Sequence, residues 1–175
     1  MRRSAFTLIE LLVVIAIIGL LGTIAVVSLS QTRINARNQK RKTDLVQMTK
    51  ALEMYLSDNG HYPIAAVGGY HGNCTDTGGW PDIDTPTSWI PGLTPTYMAR
   101  LPHDSDTNNG KNASALCLAN PHSACYQYKS DATGTNYKLL AFCIPEGSLS
   151  ANDLFYDPTY PTSSWAVYSP DAKNW

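Results

Sequence analysis

LLVVIAIIGLL, residues 11–21, contains no polar side chain, and its reading decides the rest of the chain. Extended to Leu8–Leu29 the apolar run covers 22 residues, broken only by Glu10, two glycines and a few Ser/Thr. At about 1.5 Å per helical residue that length matches the ~30 Å hydrocarbon core of a bilayer. A cleaved secretory signal would have a shorter apolar run and no use for Glu10. A carboxylate within such a run is costly and marks a function or a partner. The 175 residues (19.1 kDa) leave room for one domain on this stem.

Outward from the run, charge is strongly zoned. Residues 33–50 carry Arg33, Arg37, Lys40, Arg41, Lys42 and Lys50 against Asp44 alone, whereas residues 51–175 hold five basic and twelve acidic residues, formally −7. A greasy stem is thus followed by a basic collar and an acidic head. The overall charge of −1 disfavours a nucleic-acid binder driven by phosphate neutralisation. The collar alone would orient the chain with its head inside. The four cysteines, Cys74, Cys117, Cys125 and Cys143, all lie in the head and argue for an oxidising compartment outside the cytoplasm. Large domains translocate largely regardless of flanking charge, so the cysteines decide.

Past Leu29 the helical pattern continues. Residues 30–59 contain neither proline nor glycine, and Leu45, Met48, Leu52 and Tyr55 recur at i, i+3, i+7 and i+10, an apolar stripe that needs a cover. Residues 31–42 lack the stripe and are expected to be solvated or to pack against charge. Gly60 suits the left-handed cap and Pro63 follows. The spacing predicts a helix over Phe6–Asp58, 53 residues, with an apolar half (6–29) and an amphipathic half (30–59).

These residues resemble the type IV pilin-like proteins, above all the major pseudopilins of type II secretion. The resemblance rests on the short basic leader MRRSA (1–5), then FTLIELLVVIAIIGLLGTIAV (6–26), and more loosely on DLVQMTKALEMYLSDNGHYP (44–63). It implies that a membrane-embedded prepilin peptidase cuts between Ala5 and Phe6, that Phe6 becomes N-methylated, and that Glu10, fifth after the cut, guides filament assembly. Relief of the Glu10 charge by the amine of a neighbouring Phe6 would set register rather than add strength. Such a head-to-tail contact does not close, and it generates a helical filament. Two departures stand out: Ala5 replaces the commoner Gly, and position 27 is Val where many members carry Pro. Gly19, Gly22, Thr23, Ser28 and Ser30 are weaker helix interrupters that could soften the stem instead.

The expected fold class is α+β: a long N-terminal helix packed by a small antiparallel sheet, with a loop-rich, disulfide-stapled head over 60–175. CYQYK (125–129) and NYKLLAFC (136–143) flank a turn and read as a hairpin. With Gly134 at its centre, Tyr126 faces Phe142, Tyr128 faces Leu140, and Cys125 lies opposite Cys143. Tyr126, Tyr128, Leu140 and Phe142 then cover the helix stripe. This register favours Cys125–Cys143 with Cys74–Cys117, and Cys117–Cys125 with Cys74–Cys143 is the close alternative. Trp80, Trp89 and Cys74 are expected to pin the long connection over 60–100, which has a short helical piece near Thr96–Arg100. The tail after Ile144 is expected along the head surface.

Asp104, Asp106 and Asn108 alternate like the first half of a calcium loop, but Gly110 comes one place late and Ala115 stands where a bidentate Glu belongs. The four histidines have no i, i+4 pair for zinc, and no nucleophile elbow, phosphate loop or catalytic carboxylate pair is visible, so enzymatic activity is not expected.

Together these features describe a structural subunit of a type IV pilus-like filament or type II secretion pseudopilus. Before assembly it would be a single-pass protein of the cytoplasmic membrane, with its head outside. Its partners would be other copies of itself, membrane lipid, the prepilin peptidase, and an assembly platform with its ATPase. The second reading is a minor pilin or membrane-anchored protein whose head binds DNA or a surface ligand. If the basic collar of one subunit meets the acidic head of another, molar salt loosens sheared filaments, and filaments unchanged in molar salt contradict the contact.

Overall fold

The computed structural model describes residues 7–65, 69–72, 74, 89–104, 112, 114–119 and 124–175, without the side chains of 23–28. Helix α1 spans Leu8–Asn59, 52 residues. It stops as the sequence predicts: Gly60 adopts φ 76° and its N–H donates to the Leu56 carbonyl at 2.8 Å. The chain divides into two compact units, Met1–Arg37 and Asn38–Trp175.

In the second unit, four strands form one antiparallel sheet in the order β1 (His71–Gly72), β2 (Cys125–Ser130), β3 (Tyr137–Phe142), β4 (Ser164–Tyr168). A short helix α2 (Ala115–Ala119) precedes β2. The stripe of α1 is buried as expected, with Leu45, Met48 and Leu52 fully enclosed and Tyr55 packed at the edge. Tyr126 and Tyr128 cover it, and Trp89 is a fully buried pin. Trp80 lies outside the described residues.

The hairpin register differs from the expected one by a single residue. Tyr126 pairs with Ala141, Tyr128 with Leu139, and Cys125 with Phe142. A slip of one residue exchanges the two faces of a strand. Leu139 and Ala141, not Leu140, are therefore buried in the core on α1, with Phe142 packed at its edge. Leu140 and Phe142 face a second cluster with Tyr70, Tyr160 and Ala166. The six-residue turn sets this register. The Asp131 and Asn136 backbones bond at 3.1 Å, and the Asp131 carboxylate accepts the N–H groups of Thr133, Thr135 and Asn136 at 2.8–3.1 Å. Partial burial raises the Asp131 pKa, but these bonds outweigh it and hold the carboxyl below its ordinary value. Gly134, at φ 68°, is required where it stands: a Cβ there would lie 2.5 Å from the Tyr62 carbonyl, which accepts no such neighbour.

Two further expectations are corrected. Residues 91–97 form turns rather than a helix near Thr96–Arg100, the Tyr97 and Met98 N–H groups both donating to Leu93. The tail does not simply lie on the surface: SWAVY supplies β4, with Trp165 and Ala166 buried. Its strand-favouring Trp165, Val167 and Tyr168 are the signal that the surrounding turn residues obscure.

The enclosed stripe makes a direct prediction. Leu52→Ala lowers stability by about 2–5 kcal/mol, while Met54→Ala, at an exposed position two residues on, stays within about 0.5 kcal/mol. Urea unfolding of the chain in detergent, followed by tryptophan fluorescence, separates the two.

Candidate functional site

The start of α1 is held by a reciprocal cap. The Thr7 N–H and hydroxyl both donate to Glu10 Oε2, at 2.8 and 2.7 Å, and the Glu10 N–H donates back to Thr7 Oγ1 at 3.3 Å. This is a capping box, with Thr at the cap and Glu three residues on. Thr7-x-x-Glu10 ahead of an apolar run is the sequence signature of this box. Capping is compatible with the assembly role expected of Glu10, because a carboxylate has acceptor positions beyond those Thr7 uses. Ala5 and Phe6 lie outside the described residues.

Behind the cap, apolar side chains stand exposed all round the helix, from Leu8 (82%) to Leu21 (60%). Exposed apolar surface on this scale marks a membrane or protein contact. Among the described residues no helix is long and apolar enough to cross a membrane.

In the second unit the charged end of the collar is part of the seam between α1 and the head. The Arg41 guanidinium pairs through Nε with Asp104 and through Nη1 with Glu146 at 2.8 Å, and all three residues are buried. Asn38 extends the seam: its Nδ2 donates to the Glu146 carbonyl at 2.8 Å and its Oδ1 accepts the Glu146 N–H at 3.0 Å. One turn on, the Tyr126 hydroxyl donates to Asp44 Oδ2 at 2.7 Å. Burial pushes the Asp44 carboxyl up, against the opposing effect of the Tyr126 bond, and pushes the Tyr126 phenol far above its usual value. Lys42 pairs with Asp153 and lies 4.5 Å from the Trp165 ring centroid. Of the two alternatives left open for residues 31–42, the end at Arg41 and Lys42 packs against charge. Arg41 stands four before Leu45 and seven before Met48, on the stripe itself, so its burial was readable.

Asp104, the one described member of the calcium candidates, is thus committed to a guanidinium, a poor setting for a cation ligand. Asp106 and Asn108 lie outside the described residues. Among the described residues, no group of three His, Cys, Asp or Glu converges on a metal position.

Both expected disulfide pairings are wrong. The bonds are Cys74–Cys125 and Cys117–Cys143, with Cα separations of 5.0 and 5.5 Å. The one-residue register slip is the reason. Cys143 falls beyond β3 on the core side, where it meets Cys117 of α2. Cys125 opens onto the opposite face, beside Gly72. Two thiols on opposite faces of a sheet cannot be bridged.

A second buried ion pair, which the sequence analysis does not anticipate, lies at the sheet. Lys138 Nζ, on the second residue of β3, donates to Asp157 Oδ1 at 2.9 Å, to Thr159 Oγ1 and to the Lys173 and Trp175 backbone oxygens, fastening the 157–175 segment to the sheet. Both partners are fully enclosed. Burial lowers the Lys138 pKa, opposed by Asp157. A lone Lys inside the apolar run YKLLAF was the available signal.

Two outcomes follow from the seam. Arg41→Ala leaves Asp104 and Glu146 buried without their cation and costs about 3–5 kcal/mol in urea unfolding. The raised Asp44 pKa means that its favourable contribution is present below the unfolded-state value and lost as pH rises through the folded-state value. Asp44→Asn, which keeps an acceptor for Tyr126, therefore gains stability relative to the parent on going from pH 3 to pH 7. A difference independent of pH contradicts the buried-charge reading.

Comparison with known proteins agrees with these features. Residues 1–26 match the prokaryotic N-terminal methylation motif. A 67-residue stretch is 42% identical to the type II secretion system core protein G of Aeromonas hydrophila, covering 38% of this chain and 47% of that one. The core protein G of Escherichia coli K12 is 42% identical over 67 residues (38% and 46%), and that of Vibrio cholerae 39% over 67 (38% and 46%). The chain spans about half the length of the curated relatives it matches. No solved structure matches it. The chain thus joins a prokaryotic N-terminal methylation motif to a long helix and a small antiparallel, disulfide-stapled sheet, and over 67 residues it is similar to the type II secretion core proteins G.

Proposed function

We propose that the chain is a structural subunit of a type II secretion pseudopilus or a closely similar pilus-like filament. The observation that carries this reading is a methylation-motif helix whose first turns expose apolar side chains on every side, while its last turns are the spine of a packed head. Such a helix needs lipid before assembly and other helices after it. The chain thus begins as a single-pass protein of the cytoplasmic membrane, head outward, consistent with two disulfides in the head. Prepilin peptidase removes residues 1–5, Phe6 is methylated, and an assembly platform driven by a cytoplasmic ATPase adds subunits to the base. The work is mechanical rather than catalytic.

Glu10 registers each incoming subunit by pairing with the Phe6 amine of its neighbour. Thr7 steadies the carboxylate through the cap, so it faces the amine already oriented. Register is the purpose of such a pair, since two desolvated charges add little net stability.

Intact-mass measurement without reduction, on sheared and membrane fractions, tests the reading. The expected species starts at Phe6, one methyl heavier and four hydrogens lighter for the two disulfides. Glu10→Gln keeps this processed mass in the membrane fraction and loses at least tenfold in the sheared fraction. A chain still beginning at Met1 where prepilin peptidase is active overturns the proposal.

A further inference from the structure

Every cysteine of the chain lies before residue 144, so neither disulfide reaches the last segment, 157–175, which carries β4. The start of that segment is held instead by the Lys138–Asp157 pair. Nζ and Oδ1 are 2.9 Å apart, and neither side chain is exposed. The rings of Tyr160 and Tyr168 stand 5.9 and 5.7 Å from Nζ, so the surroundings of the amine are largely aromatic. The two oxygens of the Asp157 carboxylate have different donors. The Thr159 N–H, at 3.0 Å, shares Oδ1 with Nζ, while the Ser164 hydroxyl donates to Oδ2. The burial that lowers the Lys138 pKa favours the free amine, which is the nucleophilic form.

We propose that Lys138 and Asp157 condense into an intramolecular isopeptide bond, a covalent staple between β3 and the segment that leads into β4. The step balances without any added reagent. Nζ passes protons to Oδ1 and attacks Asp157 Cγ. The Nζ–Cγ bond forms, the Cγ–Oδ1 bond breaks, and Oδ1 leaves as water with two of the three ammonium protons. Oδ2 becomes the amide oxygen, and the Ser164 hydroxyl is already placed to stabilise the charge it carries on the way. In water the same two ions do not condense, because both are well hydrated and water is in excess. Here both have lost their hydration, which makes the ion pair a poor resting state. The reacting groups are also held in contact, and well-oriented groups reach effective concentrations of roughly 10⁵–10⁸ M. The product leaves no polar group stranded. Its amide N–H keeps the Trp175 backbone oxygen, 3.0 Å from Nζ, and the Thr159 hydroxyl serves the Lys173 oxygen at 3.4 Å. The staple is independent of the filament reading, and unlike the disulfides it survives reduction.

Mass spectrometry of the full chain, purified in detergent and then reduced and denatured, reads the bond directly. The parent is expected to be lighter by one water than its sequence, N-terminal processing and opened disulfides require. Digestion is expected to yield one branched peptide joining Lys138 to Asp157. Asp157 precedes Pro158, which has no N–H, so closure of Asp157 on its own backbone cannot mimic the loss. Lys138→Arg keeps a cation in the site without the amine, and its mass returns to the full value; should that variant not fold, the parent's mass and branched peptide decide alone. A parent at full mass, with Lys138 and Asp157 in separate peptides, overturns the bond and leaves an ordinary ion pair. So does a water loss that persists in Lys138→Arg or maps to another residue.

Discussion

A helix cannot cover itself, and α1 presents two surfaces that need different covers. From Leu8 to Leu21 it is apolar around its whole circumference. From Leu45 onward it is apolar along one stripe only, which the sheet encloses. A helix greasy on all sides belongs in lipid or in a bundle of its own kind, while a striped one belongs against a globular core. The single element therefore joins an apolar-sided first half to a striped second half, and the rest of the head can be understood as what the stripe requires. β2 and β3 bring Tyr126, Tyr128, Leu139 and Ala141 onto it, and β4 adds Trp165 and Val167.

Apolar burial alone would leave the axial position of the sheet along α1 loosely defined. The buried polar contacts define it. Arg41 fits between Asp104 and Glu146, and Asp44 accepts from Tyr126 one turn further on. Sliding the helix by a turn would strand each of these groups without a partner, at a cost well above that of the contacts themselves. The same logic holds at the far edge, where Lys138 gathers Asp157, Thr159 and two backbone oxygens in a fully enclosed site. Charges are few in this chain, and several of them are used inside the head as locating pins.

Periodicity made much of this legible before any coordinates. The extent of α1, its Gly60 cap, the stripe from Leu45 to Tyr55 and the hairpin follow from the spacing of apolar residues and from turn chemistry. Glu10 stood out because a carboxylate is anomalous in such surroundings. What failed was register. The turn between β2 and β3 holds six residues, and placing its centre at Gly134 left a one-residue ambiguity that local sequence does not resolve. The carboxylate of Asp131 resolves it by gathering the turn N–H groups. That single residue of slip redistributed β3 between its two faces and, with it, the cysteine pairing. Long-range ion pairs such as Arg41 with Glu146 join residues more than a hundred apart, and no local pattern announces the partner.

The central claim is that the exposed apolar half of α1 becomes the interior of a polymer whose exterior is the disulfide-stapled head. Helical reconstruction by cryo-electron microscopy of filaments sheared from cells tests it most directly. The account predicts subunits beginning at Phe6, side chains from Leu8 to Leu21 enclosed by neighbouring helices, and Glu10 within bonding distance of an adjacent N-terminal amine. Filaments in which that segment faces solvent, or in which Glu10 meets no amine, would contradict it.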